Sequence, residues 1–181
     1  MAVIISLLRA VNLGAHNKVK MEALRELYES LGLRGAQTYV QSGNVVFKTD
    51  AKDMAHLQKR IEDGIEKTFG FRTGVMLRTS DELKDIIRRN PFAKRSGIEP
   101  NKLVVSFLGV EPGMESKEKI AQIKVGLEEM HLDGRELYIY YASGIGTSKL
   151  TPALLERALK LSGTARNWNT VTKLLAMAEN L

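Results

Sequence analysis

Gln37-Thr38-Tyr39-Val40-Gln41-Ser42-Gly43-Asn44-Val45-Val46-Phe47-Lys48 is the stretch on which the fold turns. Two short runs rich in β-branched and aromatic residues, Gln37 to Gln41 and Asn44 to Lys48, flank Ser42-Gly43, a pair that favours a turn. The stretch therefore reads as a β-hairpin. Upstream, the continuous apolar run from Val3 to Leu8 predicts a buried strand, and a polar loop from Arg9 to Lys18 leads to a helix from about Met21 to Leu31. In that helix Leu24, Leu27, Tyr28 and Leu31 share one stripe, and Gly32 stands where a stop is expected. Downstream, Met54, Leu57, Ile61 and Ile65 give a second helix its stripe, weakened at Gly64, and Gly74 to Arg78 reads as a fourth strand. With the hairpin in the middle the order is β-α-β-β-α-β. That is the order of the ferredoxin-like split βαβ unit, whose antiparallel sheet carries both helices on one face.

The rest of the chain repeats the theme less completely. Ser80-Asp81-Glu82 caps a connecting helix that runs to about Arg89 and stops before Pro91. The Gly- and Pro-punctuated stretch from Pro91 to Pro100 reads as a linker. A strand from Leu103 to Leu108, a helix from about Ser116 to Met130 and a strand from about Glu136 to Tyr141 follow, and two helices from Thr151 and about Ala165 close the chain. The expected fold is thus α+β, with two ferredoxin-like halves, the second degenerate and carrying extra C-terminal helices. Residues 1–90 form the first half with its connecting helix, 91–100 the linker and 101–181 the second half.

Composition narrows the chemistry. A chain of 181 residues with 44% hydrophobic and 27% charged residues can bury a real core, which argues against disorder or a fibrous repeat. The absence of cysteine excludes disulfides, thiolate catalysis and Cys-based metal sites, and suits a reducing compartment. Arg9 cuts short the apolar opening, with no basic stretch before it, so this opening is expected to be a buried strand rather than a signal peptide. No run approaches the roughly 20 apolar residues of a membrane span. A soluble, cytoplasmic protein is the expectation, with no membrane partner.

No catalytic set stands out. His16, His56 and His131 lack metal-ligand spacing, no Gly-x-Ser-x-Gly elbow is present, and the acidic residues mostly occupy polar helix faces. Neither a catalytic residue nor a metal ligand nor a cofactor can be nominated, and whether the protein is an enzyme stays open. The polar loops offer more. In a split βαβ unit the loop after the first strand and the hairpin between the second and third lie at the same end of the sheet, so Arg9, Asn12, Asn17 and Lys18 are expected to approach Gln41, Ser42 and Asn44. Their bland role is to cap turns through their own backbones. Later, helices expected near Thr151 and Ala165 carry no early acid but have Ser148, Lys149, Arg166, Asn167 and Asn169 close by. A cation at a helix N-terminus opposes the macrodipole unless an anion binds there.

Further blocks carry a resemblance. Leu7-Leu8-Arg9-Ala10-Val11-Asn12-Leu13-Gly14 followed by Val19-Lys20-Met21, Thr38 to Phe47, Gly144-Ile145-Gly146-Thr147-Ser148-Lys149-Leu150 and Thr164 to Leu175 closely resemble domain-of-unknown-function family 1697. The likeness covers essentially the whole chain. In the family, Gly more often stands at Ala10 and Gly-Gly where this chain has Gly14-Ala15. The resemblance implies an α+β fold with two ferredoxin-like halves and mainly bacterial occurrence; it supplies no activity and no catalytic residue. The leading functional expectation is a small anionic ligand, bearing phosphate or carboxylate, bound in a polar site from the loops of both halves. One alternative is a protein-interaction or scaffold module whose polar signature serves structure. The other is nucleic-acid binding through a basic surface, which the formal charge of +6 invites. That last reading is weakened because the first strand carries no aromatic residue and the third only Phe47, too few to stack bases.

Overall fold

The computed structural model describes all 181 residues. Its contacts divide the chain into two compact units, one of Met1–Asp85 with Lys173–Leu181 and one of Ile86–Thr172. The divisions fall inside two helices, and the last nine residues group with the first unit rather than with the half that precedes them in sequence.

In the first unit the order is β1 (Ala2–Leu8), α1 (Met21–Ser30), β2 (Arg34–Tyr39), β3 (Asn44–Thr49), α2 (Met54–Phe69) and β4 (Val75–Thr79), after which α3 (Ser80–Arg89) begins. The four strands form one antiparallel sheet in the order β2-β3-β1-β4. β1 is central, and its unbroken apolar run reflects burial on both sides: Ile4 and Leu8 join the core, while Ile5 and Leu7 on the alternate face are also buried. The core is closed by Leu24, Leu27 and Tyr28 of α1 and by Leu57, Ile61 and Ile65 of α2. Asp53 caps α2 by accepting from His56 N–H at 2.9 Å, and Gly70 ends it in the left-handed region with φ 78°. The mid-helix Gly64 has a packing reason, since a Cβ there would lie 3.2 Å from Leu27 Cδ1 and 3.3 Å from Leu31 Cδ1.

The second unit takes the end of α3, then β5 (Leu103–Leu108), α4 (Met114–Gln122), β6 (Glu129–Asp133), β7 (Glu136–Tyr140), α5 (Pro152–Leu159), β8 (Gly163–Asn167) and the start of α6 (Trp168–Glu179). Its sheet order is β6-β7-β5-β8, again antiparallel. The register repeats as well: Ile5 faces Arg78 and Leu8 faces Val75 in the first sheet, and Val105 faces Arg166 and Leu108 faces Gly163 in the second.

Two strands differ from the sequence expectation. The helix expected to reach Met130 ends at Gln122, because the chain turns through Gly126 (φ 58°) and the residues after it pair as β6. β6 and β7 are joined across Gly134-Arg135, with Gly134 at φ 59° as the first residue of the tight turn. The helix expected from about Ala165 begins at Trp168, because Gly163 to Asn167 are recruited as the edge strand β8. Gly163 is required there: a Cβ would sit 2.9 Å from Leu108 Cδ2 and from Ser106 Oγ and 3.1 Å from Phe107 O. The second unit therefore holds the full strand set, and the two closing helices expected are present as α5 and α6, with β8 inserted between them. No helix is long and apolar enough to cross a membrane.

Candidate functional site

In the first unit the expected convergence is present, and hydrogen bonds fix it. Leu8 N–H donates to Gly43 O at 2.8 Å, tying the end of β1 to the β2–β3 hairpin. Arg9 N–H donates to Gly74 O at 2.9 Å, and Thr73 Oγ1 donates to Arg9 O. The key side chain is Asn12. Its Nδ2 donates to Val19 O (2.9 Å) and to Gln41 O (2.7 Å), and its Oδ1 accepts from Val19 N–H (2.9 Å). One amide thus clamps both ends of the loop and attaches it to the hairpin. Asn17 Nδ2 donates to Ala10 O at 3.2 Å. Buried Asn44 donates to Tyr39 O at 2.8 Å and to Ser42 Oγ at 2.9 Å, which shapes the hairpin from within. Gly43, at φ 77°, lets the hairpin close onto β1; a Cβ would lie 2.7 Å from Val11 Cγ2.

The cluster is also where backbone strain collects. Five non-glycine residues have positive φ, and four of them, Ala10 (50°), Asn12 (54°), Asn17 (49°) and Val40 (50°), belong to this loop and hairpin. A β-branched residue such as Val40 pays a steric penalty in that region, and such outliers persist only where surrounding contacts over-determine them. Leu13 (65% exposed) and Val40 (46%) face solvent beside the exposed Lys18 and Gln41, with Arg9 half-buried. α1 then opens with Lys20 as its N-cap, and no side chain caps its first N–H groups; Glu22 is the acid of its first turn. Lys18 and Lys20 form no ion pair. The sequence places Lys20 in a block shared with the family but does not mark it as a site residue, although a lysine at a position that favours Ser, Thr, Asp or Asn is the signal.

In the second unit the picked residues divide differently. Tyr141 N–H donates to Lys102 O at 2.8 Å and Asn167 Nδ2 donates to Asn101 O at 2.9 Å, so the loop after β7 and the end of β8 both leave from the β5 start. Ser148 Oγ accepts from Leu150 N–H at 3.1 Å, and Lys149 is exposed. Asn167 Oδ1 accepts from Asn169 N–H at 3.0 Å, capping α6. Arg166 lies on β8 and not in a helix N-terminus as expected from sequence. It is buried, and its guanidinium donates to Thr164 Oγ1 (2.6 Å) and Ala165 O (2.9 Å). Burial brings its pKa down to about 10. The macrodipole argument thus fails for Arg166, because residues 163–167 extend rather than coil. These segments gather at the β5 start, whereas the first unit's cluster gathers where β1 ends.

No group of three His, Asp or Glu side chains gathers at metal-ligating distance. Residues 1–138 match the family described as Protein of unknown function (DUF1697). Among solved structures, the chain is similar to a conserved bacterial protein from Streptococcus pneumoniae, with a TM-score of 0.73, 21% identity and 98% of each chain covered. At that identity the likeness shows the fold alone. None of the curated proteins matches.

Proposed function

The chain belongs to the DUF1697 family, and, since that description assigns no activity, we propose from the loop geometry that it binds a small anionic ligand bearing phosphate or carboxylate groups. The observation that carries the reading is the strained, clamped β1–α1 loop, which delivers two unpaired lysines, Lys18 and Lys20, to the uncapped start of α1. Free N–H groups at a helix start attract anions, and an anion there turns the lysines' unfavourable placement into a favourable one. Gln41 and Arg9 border the same loop and supply further donors. Asn12, Asn17 and Asn44 then act as the rigid frame rather than as ligand contacts, because their amides are already engaged with backbone. In the second unit Lys149 is exposed, but Thr151 caps α5 and Asn167 caps α6, so the argument from an uncapped helix start applies to the first unit alone. Both units read as ferredoxin-like, a reading supported by the order β2-β3-β1-β4 and its repeat β6-β7-β5-β8. A cysteine-free chain fits a cytoplasmic setting.

The test is ligand-dependent thermal stabilisation by inorganic phosphate and pyrophosphate. Lys18→Ala combined with Lys20→Ala is expected to weaken the stabilisation at least tenfold in concentration without lowering unliganded stability. Asn12→Ala is expected to cost about 1 kcal/mol or more of stability with no ligand present, through the part-buried Val19 N–H and C=O left without their partner. Stabilisation that is undiminished in the double lysine variant refutes the proposal.

A further inference from the structure

At the other end of the first sheet, β2 and β3 place two cations directly opposite each other: Arg34 and Lys48 are register partners. Like charges in that position destabilise a sheet. Neither is compensated by a carboxylate, in contrast to Arg72 and Arg95, which meet Glu66 at 2.6 Å and Glu129 at 2.8 Å; the contact of the Arg34 guanidinium is with Met1 Sδ at 3.7 Å. The pairing register slips between Arg34 and Gln37, and Gly35 takes φ 63°, so a bulge sets the direction of the strand where Arg34 stands. Bulges commonly re-aim side chains next to functional sites. A third cation, Arg60 of α2, joins them and donates to Leu31 O at 2.8 Å. No ion pair neutralises it either.

All three line one cavity of about 220 Å³, with Leu31, Thr49 and Asp50 in its wall. The one carboxylate in the wall, Asp50, is already paired with the N-terminal ammonium of Met1 at 3.5 Å, so the charge of the three side chains stays uncompensated and favours a multivalent anion. We propose that this cavity binds the phosphate group of a small phosphorylated molecule, with Arg34 and Lys48 gripping it from adjacent strands and Arg60 closing over it. Guanidinium groups match phosphate oxygens in bidentate fashion, which favours phosphate over a carboxylate for a site built on two arginines. The volume lies below the roughly 300 Å³ at which drug-sized ligand sites begin, so the group attached to the phosphate is small. Lys48 also pairs with Val3 near the start of β1, whereas the loop from Arg9 to Lys20 leaves the end of that strand. The two sites are separate, and neither depends on the other.

The test is a titration of the full chain with inorganic pyrophosphate at low ionic strength, followed by amide chemical shifts. Saturable shifts are expected at Gly32 to Arg34 and Lys48 to Ala51. Arg34→Ala and Lys48→Ala are each expected to weaken binding at least tenfold while keeping a native spectrum. Their unliganded stability is expected to be unchanged or higher, since each removes one of two opposed cations. Lys124→Ala, an exposed lysine of the second unit, is expected to change nothing, and Lys18→Ala is expected to leave these particular shifts intact even if it abolishes binding at the β1–α1 loop. Shifts absent from this cavity, undiminished binding in both strand variants, or an equal loss in Lys124→Ala would each overturn the proposal.

Discussion

Tyr28 shows what one buried polar atom does in the first unit. Its hydroxyl shares a hydrogen bond of 2.7 Å with Ser6 Oγ, and its ring meets Phe47 edge-on at 5.3 Å. Burial pushes its phenol well above the ordinary value, against a smaller lowering from Ser6. A group whose folded pKa is raised contributes stability that is complete below its unfolded pKa, near 10 for tyrosine, and is lost as pH rises toward the folded value. Tyr28→Phe is therefore expected to cost about 1 to 3 kcal/mol at neutral pH, by leaving the Ser6 hydroxyl without its partner. Urea denaturation repeated between pH 9 and about 11.5 is expected to show a shallower alkaline loss for the variant than for the parent. An identical alkaline slope in both proteins would remove Tyr28 from that role. At the same scale, the polar loop residues chosen from sequence prove to be of two kinds. Asn12 and Asn44 belong to the frame, whereas Lys18 is presented outward. Sequence alone could not separate them, because an asparagine that holds a left-handed turn and one that contacts a ligand leave the same mark in a loop.

Elements were legible where local chemistry and tertiary pairing agree. α3 runs from Ser80 to Arg89 as its capping acids and the following proline indicate, and the β2–β3 hairpin falls where Ser42-Gly43 signals a turn. β6 was hidden because Glu128 to Leu132 has no β-rich run and continues a helix-compatible stretch, although Asp133-Gly134 was a readable hairpin signal. β8 was hidden more deeply. Gly163-Thr164-Ala165-Arg166-Asn167 becomes a strand by pairing with β5, an interaction between residues some sixty positions apart that no local window contains. The packing is tight at its first residue, where the corresponding position of the first sheet accepts Val75. Gly163→Ala is expected to cost about 1 to 3 kcal/mol through the clash with Ser106, Phe107 and Leu108, read as a lower denaturation midpoint. A variant of unchanged midpoint would mean that β8 shifts freely against β5. Charged side chains at this scale add a modest acid dependence. Hydrogen bonds from Lys59 and Arg72 hold Asp63 below its usual carboxylate range, and Arg95 does the same for Glu129. Their stabilisation is present above the unfolded carboxylate pKa and fades as pH falls through the folded values.

For the whole molecule, the repeat of element order, sheet order and register in two units was visible in the sequence as strand, helix and strand, but not as a full second set. What sequence order concealed is that compact units need not be contiguous. Lys173–Leu181 groups with Met1–Asp85, and Lys84 Nζ meets Glu179 Oε1 at 3.0 Å within that unit. Leu174 and Ala178 are buried. Leu174→Ala is expected to cost about 2 to 5 kcal/mol, the range for truncating a buried leucine. Hydrogen exchange is expected to quicken in β1 and β4 when this residue is cut back, and protection that stays unchanged there would detach the chain end from the first unit's stability.

That membership has a bearing on biosynthesis. Translation proceeds at roughly 5 to 20 residues per second, so the first sheet emerges from the ribosome on the order of ten seconds before its last nine residues exist. Throughout that interval it is an unfinished body, and the nascent chain cannot complete its earliest part until Lys173–Leu181 have been made.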